Sequence, residues 1–134
     1  MPRVRSAPHP TGAGPVECFP NPQTARDYQI RVVTREFTTL CPRTAQPDFG
    51  MLTITYVPGR RCLELKSLKL YLQSYRNRGI FYEAATNQVL DDLVRSCAPR
   101  SLTIVGEFNT RGGLTTTVTA TYPGSKGRRR RARR

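Results

Sequence analysis

The spacing of apolar residues changes twice along the chain, and this change predicts the order of its secondary structure. Segments 28–34 and 51–57 are rich in β-branched residues and are predicted as strands. Segments 102–109 and 114–122 alternate apolar and polar residues and are predicted as two further strands. Between the two pairs, apolar residues recur at helical spacing, which predicts a short helix followed by a long one. The residues of these two stripes are Leu68, Leu72 and Tyr75, and then Phe81, Ala85, Val89, Leu93 and Cys97. The predicted order of elements is therefore ββααββ.

Four strands and two helices in this order predict an α+β fold, in which an antiparallel four-stranded sheet carries both helices on one face. The other face of the sheet is predicted to be uncovered. The alternation of the last strand places there Thr115, Thr117, Thr119 and Thr121. Such a sheet also has two open edges. We therefore expect an oligomer in which strands of neighbouring subunits pair and close these edges.

The chain has 134 residues, of which 37% are hydrophobic, and this suits one small domain. We expect the folded domain to span residues 24–123. Residues 1–23 are proline-rich and are expected to form a flexible leader. Residues 124–134 are rich in arginine and are expected to form a disordered tail.

About half of the formal net charge of +13 lies in this tail, where the sequence GSKGRRRRARR contains seven basic residues and no acidic residue. Such a tail could contact RNA or another polyanion without sequence specificity. A solvated tail that only aids solubility explains the same composition equally well. Charge alone therefore does not establish a nucleic-acid partner.

The composition also limits the location and the chemistry that we expect. No secretory signal or membrane span is apparent, so we expect a cytoplasmic protein. The four cysteines are widely spaced, without a C-x-x-C pair, so we expect free thiols and no metal site. The one histidine, His9, lies in the predicted leader, so a Cys-His couple within one chain is not expected.

A first candidate for chemistry is Cys41, in the segment LCPRTAQPDFG that covers residues 40–50. Two prolines in this segment remove backbone donors, so it is predicted as a loop or as a connection with irregular strand pairing. Arg43 is close enough in sequence to favour a thiolate, and Asp48 could take or give a proton if the loop curves back. An inert buried cysteine is the commoner situation, and the spacing alone favours it.

A second candidate is the segment ELKSLKLYLQSYRNRGIFYE, residues 64–83. Lys66, Lys69 and Arg76 are spaced so that they could form a cationic stripe for phosphate groups. An ordinary solvated helix face has the same pattern and is the more common interpretation.

Glu83 follows Phe81 and Tyr82 at the start of the predicted long helix. A carboxylate beside a stacking ring suits a guanine-like edge, which offers paired N–H donors. A first-turn acid that only interacts with the helix dipole is an equally good explanation. Arg111 lies in the predicted TRGG turn, where an exposed arginine is common.

Three motifs taken together resemble a known family. FTTLCPRTAQPDFG, ELKSLKLYLQSYRNRGIFYE and GEFNTRGG are similar to sequences of the NADPH-dependent 7-cyano-7-deazaguanine reductases of queuosine biosynthesis, of the short single-domain type. The resemblance covers residues 24–122. It implies a tunnelling fold (T-fold), in which ββααββ subunits join into barrels and active sites lie between subunits.

The resemblance also implies roles for individual residues. Cys41 would add to the nitrile of 7-cyano-7-deazaguanine to form a thioimidate, and Asp48 would be the acid/base for the nitrile nitrogen. Two molecules of NADPH would then reduce the carbon to an amine. The substrate-binding residues implied are Glu83, Phe81, Ser67 and Leu65, and the residues implied around the cofactor phosphates are Lys66, Lys69, Arg76 and Arg111. The family often has histidine immediately before the substrate glutamate, where this chain has Tyr82. A phenol can donate a hydrogen bond there, but it is a weaker acid than imidazolium.

Two other functions are alternatives. Relatives that form an amidine from the same nitrile share the cysteine and aspartate but lack the lysine-rich motif, so the intact ELKSLKLYL favours reduction. A small basic RNA-binding module would explain the sequence pI of 10.6, but the threonine-rich strands lack the exposed aromatic residues typical of RNA-binding sheets.

Overall fold

The computed structural model describes residues 14–124. In chain order, the elements are β1 (Cys18–Pro20), β2 (Ile30–Leu40), β3 (Pro47–Val57), β4 (Arg61–Leu63), α1 (Leu65–Gln73), a 3₁₀ helix (Ser74–Asn77), α2 (Tyr82–Cys97), β5 (Ser101–Arg111) and β6 (Leu114–Tyr122). No helix among the described residues is long and apolar enough to cross a membrane.

The main sheet has four antiparallel strands in the order β2-β3-β5-β6, and both helices pack on one of its faces. Every second residue of each strand faces the core, because successive side chains of a strand point to opposite faces of the sheet. Leu52, Ile54, Leu102 and Ile104 are fully buried among the apolar residues of the helices. The predicted α+β fold, a four-stranded antiparallel sheet with two helices on one face, is confirmed.

The opposite face of the sheet is exposed along β6, as predicted. Thr115, Thr117, Thr119 and Thr121 all point to this face and are exposed. Strands β2 and β6 form the two edges of the main sheet. In this single chain the two edges therefore carry backbone groups without a neighbouring strand.

The helices begin and end near the residues that the apolar spacing indicates. Helix α1 is capped by Glu64, whose carboxylate accepts hydrogen bonds from the backbone N–H groups of Lys66 (3.0 Å) and Ser67 (2.7 Å). Helix α2 ends at Ala98, which has a left-handed conformation with φ of 46°. Phe81 is the N-cap of α2 and is 53% exposed, so it lies outside the helix stripe to which its spacing assigned it.

A β-bulge in β2 changes which residues of that strand face the core. Thr34 pairs with Leu52 and Phe37 with Gly50, so β2 has one more residue than β3 between these pairs. An extra residue reverses the alternation beyond it. Phe37 and Thr39 therefore face the core after the bulge and are buried.

The structure differs from the sequence prediction in the segment after β2. Residues 40–50 are predicted as a loop or an irregularly paired connection, but β2 extends to Leu40, β3 begins at Pro47 and only residues 41–46 form the turn. A proline is tolerated there because it is the first residue of the strand.

The N-terminal segment also differs from its prediction. Residues 14–23 belong to the predicted flexible leader, yet Val16 is fully buried and its N–H donates to Ser96 Oγ (3.1 Å). Strand β1 pairs with β4, with Cys18 opposite Leu63. The prediction is wrong for these residues because an apolar side chain and an available strand edge hold them on the domain. Residues 1–13 and the predicted arginine-rich tail from 125 onward lie outside the described residues.

Candidate active site

A tight turn presents Cys41 at the end of β2. The Cys41 N–H donates to the Gln46 carbonyl (2.8 Å), and the Ala45 N–H donates to the Cys41 carbonyl (2.8 Å). On the other side, the Leu40 N–H donates to the carbonyl of Arg78 (2.8 Å), and Leu40 accepts from the N–H of Ile80 (3.1 Å). The segment leading into α2 is therefore fixed beside the Cys41 turn.

The environment of Cys41 favours its thiolate. Hydrogen bonds from the Thr44 hydroxyl, and then from the backbone N–H groups of Arg43 and Thr44, lower the pKa of the Cys41 thiol. Desolvation and the negative charge of Asp48 act in the opposite direction but are weaker. The side chain is half-buried and remains accessible. A larger thiolate fraction makes Cys41 a better nucleophile than an ordinary cysteine at neutral pH.

Asp48 lies on the core face of β3, because it is in phase with Leu52 and Ile54 of the same strand. It is buried, with 7% of its surface exposed. Its carboxylate forms an ion pair with Arg111 (2.6 Å), and the Arg111 guanidinium also donates to the carbonyl of Pro47. The cost of burying this charge is thus offset by a cation and by hydrogen bonds.

Tyr82 completes this group from the first turn of α2. Its ring stacks on Phe108 of β5, with ring centroids 4.0 Å apart and planes 8° from parallel. Burial, and then a hydrogen bond with Asp48, raise the pKa of Tyr82, while Arg111 acts in the opposite direction. Tyr82 therefore stays protonated at neutral pH and can donate its hydroxyl proton in a hydrogen bond.

Glycines of two strands make room for the Phe108 ring. A Cβ at Gly50 would lie 2.7 Å from a ring atom of Phe108, and one at Gly106 would lie 2.8 Å from another. The Phe108 ring therefore packs closely over Gly50 and Gly106, and the Tyr82 ring stacks on it.

The structure brings together three predicted catalytic residues, Cys41, Asp48 and Tyr82. Asp48 and Cys41 both contribute to the electrostatic environment of Tyr82. Arg111, which the family resemblance implies is a cofactor-binding residue, also lies in this group through its ion pair with Asp48. We call these four residues the Cys41 group. It combines a nucleophilic thiol with two groups that can exchange protons.

Phe81 and Glu83 lie at the start of α2, next to the segment that pairs with Leu40. Phe81 is the N-cap and Glu83 is in the first turn, and both side chains are exposed. An exposed ring and carboxylate at this position are available to a planar ligand.

A cleft of about 520 Å³ lies between β2 and α1. Its lining contains apolar residues, three cations, uncharged polar residues and one acid, Glu36. The predicted site residues among them are Leu65, Lys69 and Arg76. Its volume is within the usual range for small-molecule sites, about 300–1,000 Å³. Lys66 is exposed on the same helix but does not line the cleft.

Ser67 does not line this cleft. Its hydroxyl accepts a hydrogen bond from the N–H of Glu17 (2.9 Å), so in the structure it fixes the N-terminal segment to α1. The substrate contact implied for Ser67 stays a prediction.

Sequence reasoning missed two contributors to the site. Thr44 follows Cys41 by three residues in a proline-containing turn, where a hydroxyl often reaches back to nearby groups. The alternation along 102–109 predicts only that Phe108 shares one face of its strand with Leu102 and Ile104. Its stack on Tyr82 depends on a contact between distant segments that no local pattern shows.

A half-buried thiol with lowered pKa beside a buried carboxylate, on a two-layer α+β scaffold, defines a class of enzyme that uses cysteine as a nucleophile. A family model described as QueF-like protein matches residues 47–126. The chain is 58% identical over 107 residues to the NADPH-dependent 7-cyano-7-deazaguanine reductase of Thermomicrobium roseum, with 80% of this chain and 84% of the relative covered. It is 53% identical over 111 residues to the enzyme of the same name from Chlorobaculum tepidum, with 83% and 95% covered.

The solved structure of the apo form of the archaeosine synthase QueF-Like has a similar fold, with a TM-score of 0.67 and 23% identity, over 72% of this chain and 94% of that one. The chain belongs to the family of NADPH-dependent 7-cyano-7-deazaguanine reductases, which are oxidoreductases.

Proposed function

We propose that this protein reduces the nitrile of 7-cyano-7-deazaguanine to the aminomethyl group with NADPH, through a covalent thioimidate on Cys41. The observation that carries the proposal is the Cys41 group, where a thiol of lowered pKa lies with a buried carboxylate and a protonated phenol. The identity of more than half to this family of reductases supports the same reaction.

In the first step, Asp48 transfers a proton from the Cys41 thiol to the nitrile nitrogen. The Cys41 thiolate attacks the nitrile carbon, so that an S–C bond forms and one π bond of the C≡N group breaks. The released electron pair moves to the nitrogen, which takes a proton and gives a C=N–H group. Asp48 carries that proton, because its carboxylate can accept it from the thiol and pass it to the nitrogen. The ion pair with Arg111 holds Asp48 in place for this transfer.

Tyr82 is positioned to assist at the nitrogen as the reaction continues. Its hydroxyl is hydrogen-bonded with Asp48 and is held by the stack on Phe108. It can donate a hydrogen bond to the developing amine, and a proton that the phenol gives up would be replaced from solvent with Asp48 as the relay. Tyr82 thus takes the role of the histidine that many family members have before the substrate glutamate.

The substrate would be held at the start of α2. Glu83 can accept both N–H donors of the deazaguanine edge, and Phe81 can stack on the ring. Leu65 and Ser67 are the further substrate contacts that we propose, and both lie at the start of α1. Water must be excluded around the nitrile carbon, because an imine left open to water would be hydrolysed.

NADPH would supply the two hydrides that reduction of a nitrile to a primary amine requires. Once the first hydride is on the carbon, the S–C bond has to break, so that Cys41 leaves as the thiolate and the resulting imine takes the second hydride. Two protons from solvent complete the balance.

The cleft between β2 and α1 fits a dinucleotide, because it joins an apolar lining to the cations Lys69 and Arg76. Lys66, on the exposed surface of α1, is a third cation for its phosphates. Arg111 is the fourth such cation that we propose, and its ion pair with Asp48 would link the cofactor site to the Cys41 group.

We also propose a homo-oligomer with active sites between subunits. Two features support it: the open edges at β2 and β6, and the exposed threonine face of β6. Nonspecific contact of the arginine-rich tail with polyanions and a cytoplasmic location stay predictions from the sequence.

The test is anaerobic incubation of the purified protein with 7-cyano-7-deazaguanine and NADPH, with product identification by mass. We expect two NADPH oxidised per aminomethyl product, and loss of both signals in Cys41→Ala. Cys62→Ala is the matched control, because Cys62 is a buried free thiol outside the Cys41 group. A Cys41-dependent adduct without NADPH oxidation would contradict reduction and favour amidine formation. Absence of both signals would leave the RNA-binding alternative.

A further inference from the structure

The hydroxyl of Thr39 is buried beside the Cys41 group without a partner. Thr39 is 1% exposed, and its Oγ1 has no hydrogen-bond partner among residues 14–124. The β-bulge in β2 turns this side chain to the core face. In the register of β2 and β3, Thr39 lies directly opposite Asp48.

An unpaired hydroxyl at such a position is unfavourable. Burying a hydroxyl without a hydrogen bond costs about 1–3 kcal/mol, whereas valine has nearly the same shape and no such cost. The neighbouring Thr38 shows the ordinary arrangement, because its hydroxyl donates to the carbonyl of Glu36 (3.1 Å). Thr39 therefore carries a hydroxyl donor with no acceptor among residues 14–124.

Asp48 is the polar group that this donor faces across the strand pair. Side chains directly opposite in an antiparallel pair have Cβ atoms about 4.5–5.5 Å apart, so a small rotation brings a carboxylate within reach of the hydroxyl. In the structure Asp48 is engaged by Arg111 and by Tyr82. A carboxylate has about four acceptor positions, so it can take a further donor.

We propose that Thr39 is a positioning residue for Asp48, whose carboxylate accepts a hydrogen bond from the Thr39 hydroxyl once substrate is bound. The inference rests on the proposed function. When the nitrile nitrogen approaches one carboxylate oxygen, the Asp48 carboxylate turns by a small angle while its ion pair with Arg111 is kept. The hydroxyl of Thr39 then fixes the rotated carboxylate in the orientation that transfers the proton.

The test compares Thr39→Val with Thr39→Ser. Thr55→Val on the neighbouring strand β3 is the matched control, because Thr55 lies on the sheet face opposite to Ile54 and Asp48 and does not line the cleft. We expect the Tm of Thr39→Val to equal or exceed that of the wild type, because the lost hydroxyl has no hydrogen-bond partner among residues 14–124. We expect its kcat to fall about 10-fold, the effect of one hydrogen bond to a charged group, with KM changed less than about twofold. Thr39→Ser should recover most of the kcat, and Thr55→Val should keep it.

Each result decides the inference. A lower Tm for Thr39→Val would overturn it, because the hydroxyl would then be bonded in the resting fold. Unchanged kcat in Thr39→Val, with an active wild type, would overturn it while the proposed function stands. An inactive wild type in the same preparation would overturn the proposed function, and the inference with it.

Discussion

Replacing Tyr82 by phenylalanine isolates the role of one hydroxyl in the Cys41 group. The ring stack on Phe108, with centroids 4.0 Å apart, does not involve the hydroxyl and should persist in Tyr82→Phe. What the variant loses is the hydrogen bond with Asp48 and the donor toward the substrate nitrogen. We therefore expect turnover to fall while substrate binding changes little.

The size of the effect distinguishes two roles. A hydrogen bond to a charged group contributes about 1.5–3 kcal/mol, and the lower value applies to a half-exposed side chain, so positioning of Asp48 alone predicts about a 10-fold loss of kcat. If Tyr82 also transfers a proton to the amine, general acid catalysis predicts a loss of about 100-fold or more. Burial raises the pKa of Tyr82 above its usual 10, so its hydroxyl should act as a donor throughout the neutral range.

The assay is NADPH oxidation with 7-cyano-7-deazaguanine, measured as kcat and KM for both substrates. Tyr122→Phe is the matched control, because Tyr122 is an exposed tyrosine at the end of β6, far along the sheet from β3 residue Asp48. A kcat for Tyr82→Phe equal to that of Tyr122→Phe would refute the catalytic role and leave Tyr82 as a packing residue.

Three further predictions follow from the contacts. Thr44→Val removes the hydroxyl hydrogen bond that does most to lower the pKa of Cys41, so the pH at which iodoacetamide alkylates Cys41 half-maximally should rise. An unchanged pH profile would exclude this hydrogen bond. Tyr71→Phe loses a hydrogen bond to the buried Asp92 carboxylate (2.5 Å), so its free energy of unfolding in urea should be lower by about 2 kcal/mol. An unchanged urea midpoint would contradict this. Burial raises the pKa of Cys97 from 9.0 to about 12, so stability present below about pH 9 should fall as pH rises toward 12; melts that stay flat would count against it.

Local sequence patterns were sufficient to predict the two helices and the four strands of the main sheet, although not the full length of β2 and β3. The alternation along β5 and β6 and the helical spacing of Ala85, Val89 and Leu93 are set by burial against one core, so sequence periodicity reports them directly. The same reasoning failed for Val16, because one apolar residue among prolines gives no periodic signal. Only its contact with the distant Ser96 shows that this segment is part of the domain.

The candidate site depends on register, which periodicity along one strand does not give. An uninterrupted alternation through β2 would continue from Val32 and Thr34 and would turn Thr39 away from the core. The single extra residue of the bulge reverses this phase and places Thr39 opposite Asp48. The turn that follows then carries Cys41 to the same end of the sheet as that carboxylate. The sequence motif shows which residue types are present, but the bulge determines that Thr39 and Asp48 face each other. Because the Thr39 hydroxyl has no hydrogen-bond partner among residues 14–124, its replacement is expected to lower turnover and to leave the fold intact.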